Sequence, residues 1–300
     1  MTSPEKFFCS HHAQKQDVPI IGSGTHGDVW FLLEYPNSWG AKAFKESSLP
    51  QAVKDHLSGA AHPEGDLRIQ MIRQPQSRYR EGVRFFAAQT HLSPPRMYEY
   101  HLSGYEDLLA IDLKALAAGE EGDLAHLRTE PLFVVCTNGK RDQCCALYGP
   151  EVYQAMADVA GDAVWQSSHI GGHNMAPVSL YFPHGVHYSR TKPEDIGGVI
   201  EAYRQGQVSL PFYRGRVSLP QFVQAAEYFW REKTGVLDLD VVQLGAVKEL
   251  GEKDWLVEIR IKGEAKQRVH LRQTISDYEI PITCKQTKTA PIRTFQLMDL

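Results

Sequence analysis

The chain has 300 residues, 42% of them hydrophobic, and a formal net charge of −4 with its 13 histidines neutral. That composition suits a globular protein with a sizeable core, leaves no basic footprint for nucleic acid, and contains no apolar run near the roughly 20 residues needed to cross a bilayer. Five cysteines, with no leader-like segment in the opening MTSPEKFFCSHH, do not make a disulfide-stapled secreted fold, so a reducing cytoplasm is expected.

In the first third, DVWFLLEY (28–35), LRIQMIR (67–73) and VRFFAAQT (83–90) have the apolar and aromatic content of strands, and LPQAVKDHLSGAA (49–61) repeats its apolar positions at helical spacing. This is an α/β segment. GSGTHGD (22–28) is rich in glycine but lacks the lysine and the strand-to-helix setting of a phosphate loop, so it reads as a plain loop. Residues 106–130 are expected to be helical in part and to mark the boundary between two halves.

PLFVVC (131–136) is a continuous apolar run of the kind a buried central strand shows. A helix follows over GPEVYQAMADVAG (149–161), with Gly149 and Pro150 at its start, and DAVWQSSH (162–169) reads as a second strand. VSLYFPHGVHYSR (178–190) has the pattern of a hairpin about Pro183-His184-Gly185, and KPEDIGGVIEAYRQG and SLPQFVQAAEYFWREKTG are expected helices. β-α-β-β-α is the order of a thioredoxin-like domain. Beyond Gly235, WLVEIRIKG and QRVHLRQT alternate as strands of a small appended sheet, before the Pro- and Thr-rich YEIPITCKQTKTAPIRT. The expected α/β organisation is an N-terminal region (1–128), a thioredoxin-like domain (129–235) and a β-rich extension (236–300). The two halves show too little internal similarity to count as a repeat.

CTNGKRDQCC puts Cys136 at the end of the buried strand, and Cys145 follows where a helix begins; SSHIGGH supplies His169 and His173 at the end of the next strand. Strand ends facing helix starts are where α/β folds build sites, and the Gly-Gly pair favours a tight loop over a helix between the imidazoles. Two thiolates and two imidazoles make a four-ligand set that suits zinc or an iron-sulfur cluster. The eight-residue gap between Cys136 and Cys145 is too wide for a zinc knuckle. Adjacent residues in an extended segment point opposite ways, so only one of Cys144 and Cys145 should face such a centre. Cys9 and Cys284 read as core residues, and His11, His12, His184 and His187 as surface or loop residues.

CTNGKRDQCC, SSHIGGH, FPHGVHYSR and YRGR together resemble the sucrase/ferredoxin-like family, with weaker likeness in WFLLEYPNSWG and MIRQP. The resemblance implies a thioredoxin-like ferredoxin domain holding a 2Fe-2S cluster on two cysteines and two histidines. Carried over by motif, the implied ligands are Cys136, Cys145, His169 and His173, the family spacing selecting Cys145 over Cys144. The chain departs from the family pattern at NMAP after HIGGH, where an aromatic is usual, and at Ser189, where glycine is common. No carboxylate pair stands in a glycosidase setting, so the sucrase half of the name implies little here.

The implied role is one-electron transfer or redox sensing, with imidazoles in place of two thiolates raising the potential by removing negative charge. No flavin or nicotinamide site is evident, so a separate reductase or acceptor protein is the expected partner, with no nucleic acid and no membrane. Arg141, Asp142, Arg214 and Arg216 are candidates for a docking face or for structural ion pairs. Two other readings remain: a structural zinc-binding protein, and a metal-free thiol oxidoreductase using Cys144 and Cys145, which lacks the usual C-x-x-C. Whether the chain is an enzyme stays open.

Overall fold

The computed structural model describes residues 6–61, 65–261 and 266–299. Its helices and strands, in chain order, are α1 (Cys9–Lys15), β1 (Val29–Glu34), α2 (Gln51–Ser58), β2 (Leu67–Arg73), β3 (Val83–Gln89), β4 (Arg96–Leu102), α3 (Leu113–Ala117) and β5 (Leu132–Cys136). Then come α4 (Gln143–Ala160), β6 (Val164–Ser167), β7 (Val178–Phe182), β8 (Val186–Ser189), α5 (Ile196–Arg204), β9 (Tyr213–Arg216) and α6 (Gln221–Thr234). Four further strands, β10 (Val242–Gly251), β11 (Asp254–Ile261), β12 (Gln267–Pro281) and β13 (Thr289–Asp299), complete the described chain. The end of WLVEIRIKG and the first five residues of the opening segment lie outside the described residues.

Strands β1 to β9 form one sheet in the order β4-β3-β1-β2-β6-β5-β7-β8-β9. Around β5 the pattern is that of a thioredoxin-like unit: β6 runs parallel to β5, β7 antiparallel to β5, and β8 antiparallel to β7. The first half repeats it. β2 runs parallel to β1, β3 antiparallel to β1 and β4 antiparallel to β3. A short antiparallel seam, Ile72 against Ser167 and Arg73 against Gln166, joins the halves near the C-terminal ends of β2 and β6. The chain thus carries two units of one topology.

Alternation along the strands divides the core into layers. Trp30 and Leu32 of β1, with Leu132, Val134 and Cys136 of β5, share a single apolar cluster between the halves. The opposite faces are covered separately: Phe31 and Leu33 pack with α2 and α3, while Phe133 and Val135 pack with α4 and α5. Trp30 meets Phe182 and Phe86 meets Trp165 across the shared layer, with ring centroids 5.9 and 5.6 Å apart. β10 to β13 form a separate antiparallel sheet whose Val257, Ile259, Val269 and Leu271 bury against Val223, Ala226 and Trp230 of α6.

Several expectations are corrected. α4 begins at Gln143, not at Gly149-Pro150, because the Asp142 side chain accepts a hydrogen bond from the Cys144 N–H and caps the helix. Pro150 is inside the helix, and Cys144 and Cys145 lie in its first turn instead of an extended segment. Strands β4, β9, β10 and β13 and helix α1 are not expected from the sequence. The β10 strand exposes most of its residues, so it lacks the apolar alternation that marks a strand.

Candidate metal centre

Three elements deliver the side chains. β5 ends in Cys136, the first turn of α4 presents Cys145, and the segment after β6 carries His169 and His173. Helix and strand approach closely at Gly149, where an added Cβ would lie 2.2 Å from the Cys136 carbonyl oxygen; only glycine lets α4 sit so low over the strand end. The histidine loop needs glycine twice. Gly171 and Gly172 have φ of 119° and 73°, and a Cβ on them would meet Thr25 Oγ1 at 2.4 Å and the Arg214 guanidinium at 2.7 Å.

The structure brings Cys136, Cys145 and His169 together, their ligand atoms all within 4.8 Å of one another. His169 Nδ1 stands 3.8 Å from each sulfur. His173 is not in that group; its Nδ1 lies 3.4 Å from His169 Nε2, on the far side of the ring. Both thiols are almost wholly buried, and both histidines are half-buried.

A hydrogen bond from Cys145 holds the Cys136 thiol well below the ordinary range, against the opposing effect of burial, and His169 lowers it further. The same contact, then burial, pushes Cys145 up. Burial lowers His173, His169 adds to the lowering and Asp142 opposes it. A neutral imidazole is the ligand form. His173 Nε2 is buried without a hydrogen-bond partner among the described residues, the Asp142 carboxylate standing 4.0 Å away. Two thiols and one imidazole converging at a strand end, with a second imidazole beside the first, fit a soft or borderline metal centre, iron-sulfur included.

A shell of residues from elsewhere in the chain braces the histidine loop. Arg214 of β9, fully buried, donates to Ser23 Oγ at 3.0 Å, and its guanidinium packs on Gly172 and within 2.9 Å of His187 Nε2. Gln224 of α6 accepts from the Gly24 N–H at 2.8 Å and so holds the 22–25 loop against Gly171. The GSGTHGD segment is therefore a loop that buttresses the site. Burial corrects one expectation, since His187 is fully buried, and of the two readings offered for Asp142, Arg214 and Arg216 it favours structural roles over a docking face. Arg216 pairs with Glu227 at 3.1 Å, while Arg141 remains exposed.

Asn138 Nδ2 donates to the Gly40 carbonyl at 3.1 Å, so the first unit's loop approaches the second unit's site. Between them opens a cleft of about 460 Å³ that reaches His169 and is lined by Lys42, Lys45, Arg68 and Arg141 among others.

The fold and the residues at its second unit's strand ends define a thioredoxin-like α/β protein with a cysteine- and histidine-rich centre. The family model for sucrase/ferredoxin-like proteins matches residues 20–215, and the chain belongs to that family. It is 32% identical over 110 residues to altered inheritance of mitochondria protein 32 of Meyerozyma guilliermondii, a match covering 33% of this chain and 38% of that protein. Two structures of a thioredoxin-like 2Fe-2S ferredoxin from Aquifex aeolicus are 20% and 23% identical, cover 30% and 28% of this chain and 94% of theirs, and superpose with TM-scores of 0.27 and 0.25. Among the described residues no helix is long and apolar enough to cross a membrane.

Proposed function

We propose that the chain holds a 2Fe-2S cluster on Cys136, Cys145, His169 and His173 and relays single electrons to or from a separate protein. The observation that carries the reading is the convergence of the two thiols and His169 within 4.8 Å, with His173 against the far nitrogen of that ring. When bound, such a cluster supplies a one-electron couple, at a higher potential than an all-thiolate centre because neutral imidazoles remove two negative charges.

The chain's own residues prepare that site. The contact with Cys145 favours the Cys136 thiolate and burial favours the neutral His173 imidazole, the forms in which each residue binds metal. Both sulfurs belong to the shared apolar core with Trp30, Ile72 and Trp165, which keeps water from that side. His169 is half-buried and faces the cleft with its basic rim, which favours an acidic surface on the partner protein and makes its binding sensitive to salt.

The test is metal and sulfide analysis of anaerobically purified chain with its visible spectrum. About two irons and two acid-labile sulfides per chain are expected. Iron-free protein lacking sulfide, made with an intact cluster-assembly supply, would overturn the reading, and His173→Cys in a loaded protein should lower the midpoint potential by adding negative charge.

A further inference from the structure

The three cysteines outside that site are not scattered. Cys9 opens α1, Cys144 lies in the first turn of α4, and Cys284 sits between β12 and β13, yet their sulfurs meet. Cys9 Sγ is 3.6 Å from Cys144 Sγ, Cys144 Sγ 3.3 Å from Cys284 Sγ, and Cys284 Sγ 3.7 Å from Cys9 Sγ. The Asp142 carboxylate closes the group, its Oδ1 3.5 Å from Cys9 Sγ and 2.9 Å from Cys284 Sγ. All four ligand atoms lie within 4.8 Å of one another.

These separations have a chemical meaning. Zinc-sulfur bonds of about 2.3 Å and zinc-oxygen bonds of about 2.0–2.2 Å at tetrahedral angles place sulfurs about 3.8 Å apart and sulfur about 3.5 Å from oxygen. Four of the five measured edges fall within half an ångström of those values. A disulfide does not account for the group, since a bond of about 2.05 Å joins two sulfurs and leaves the third without purpose. The setting is also that of a closed structural site. Cys9 and Cys144 are fully buried, Phe7, Phe8, Tyr148 and Ala176 pack around the sulfurs, and the Ser10 N–H points at Cys144 Sγ from 3.4 Å. Asp142 is oriented by the N–H groups of Cys144 and Cys284, at 3.0 and 2.9 Å.

We propose that Cys9, Cys144, Cys284 and Asp142 form a second, structural metal site for a borderline-soft tetrahedral cation of the zinc class, distinct from the Cys136–His173 centre. Three thiolates and a carboxylate leave no open position, so the ion's role is to clasp α1, the start of α4 and the β12–β13 connection together. Binding displaces the thiol protons and strengthens as pH rises. The inference does not depend on the cluster reading.

The experiment is zinc and iron analysis of the 300-residue chain and of its Cys284→Ser, Cys9→Ser and Cys145→Ser variants. Wild type should hold about one zinc; Cys284→Ser and Cys9→Ser should lose it while keeping the iron and the visible spectrum, and Cys145→Ser should do the reverse. Should a variant fold poorly, cobalt added to zinc-stripped wild type should give the intense thiolate-to-cobalt band of a tetrahedral site. The proposal is overturned if zinc is absent and cobalt gives no such band, if zinc is lost in Cys145→Ser but kept in Cys284→Ser, or if mass spectrometry of the isolated chain finds two of these three sulfurs in a disulfide.

Discussion

The two halves of the large sheet share one strand order and one set of directions, yet among the described residues it is the second whose strand ends gather thiols and an imidazole that could hold a metal. Where β5 ends in Cys136, β1 ends in Glu34, equally buried, which accepts from Arg80 Nη1 at 2.7 Å and from the Arg84 N–H at 2.8 Å. Where a short connection, 137–142, brings Cys145 back over β5, a long one, 35–50, carries the first unit away from its own strand end and over to Asn138. Topology supplies a place for a site, and the residues at that place decide whether it is chemical or structural.

The sharpest test of that contrast exchanges the ligands. Cys136→Ser and Cys145→Ser should abolish iron binding in a folded chain, while Glu34→Gln should leave iron per folded chain unchanged; a large iron loss in Glu34→Gln would break the division of roles. Glu34→Gln should instead cost about 2–3 kcal/mol in denaturant unfolding, because a charged pair is replaced by a weaker one beside a half-buried Arg80. Next in size, Gly149→Ala must push α4 off the Cys136 carbonyl and should cost about 1–3 kcal/mol, with reduced iron content at equal expression. A melt and an iron assay that both match wild type would show that the close approach is dispensable.

The smallest effect is acid sensitivity in the first half. Burial by itself would raise the Glu99 carboxyl, but Arg128 first and then His101 and Arg84 outweigh it, and the folded value lies below the ordinary 4.5. The folded state then binds fewer protons than the unfolded one, so the stabilisation is fully present above about pH 4.5 and drains as pH falls through the lower, folded value. Glu99→Gln should flatten that limb of a stability-against-pH curve; an unchanged acid limb would remove Glu99 from the account.

How much of this could be read from the sequence follows from the range of each interaction. LFVVC, VSLYF and WFLL announce strands because burial is written into consecutive residues, and CTNGKRDQCC with SSHIGGH points to a candidate centre, of whose four donors the fold groups Cys136, Cys145 and His169. The start of α4 was hidden because Gly149-Pro150 imitates a helix start while the true cap, Asp142, is also occupied by Cys284. The likeness of the two halves was too weak in residue identity to count as a repeat, because a shared strand order leaves no signature there. Cys9, Cys144 and Cys284 escaped because their contacts join positions 135 to 275 residues apart, a distance no motif spans.

That distance also bears on how the chain folds. Closing so long a loop costs only about 0.6 kcal/mol more for each doubling of its length, so the Cys9–Cys284 contact is affordable once its surroundings exist, but contacts of such separation form late. Until the small sheet docks on α6, Cys284 travels apart from the other two sulfurs, and all three thiols are open to whatever oxidant or metal they meet. Docking of the small sheet is thus also the step that brings Cys284 to the other two sulfurs, and slowing it is expected to raise the yield of wrong disulfides in chains refolded under oxidising conditions.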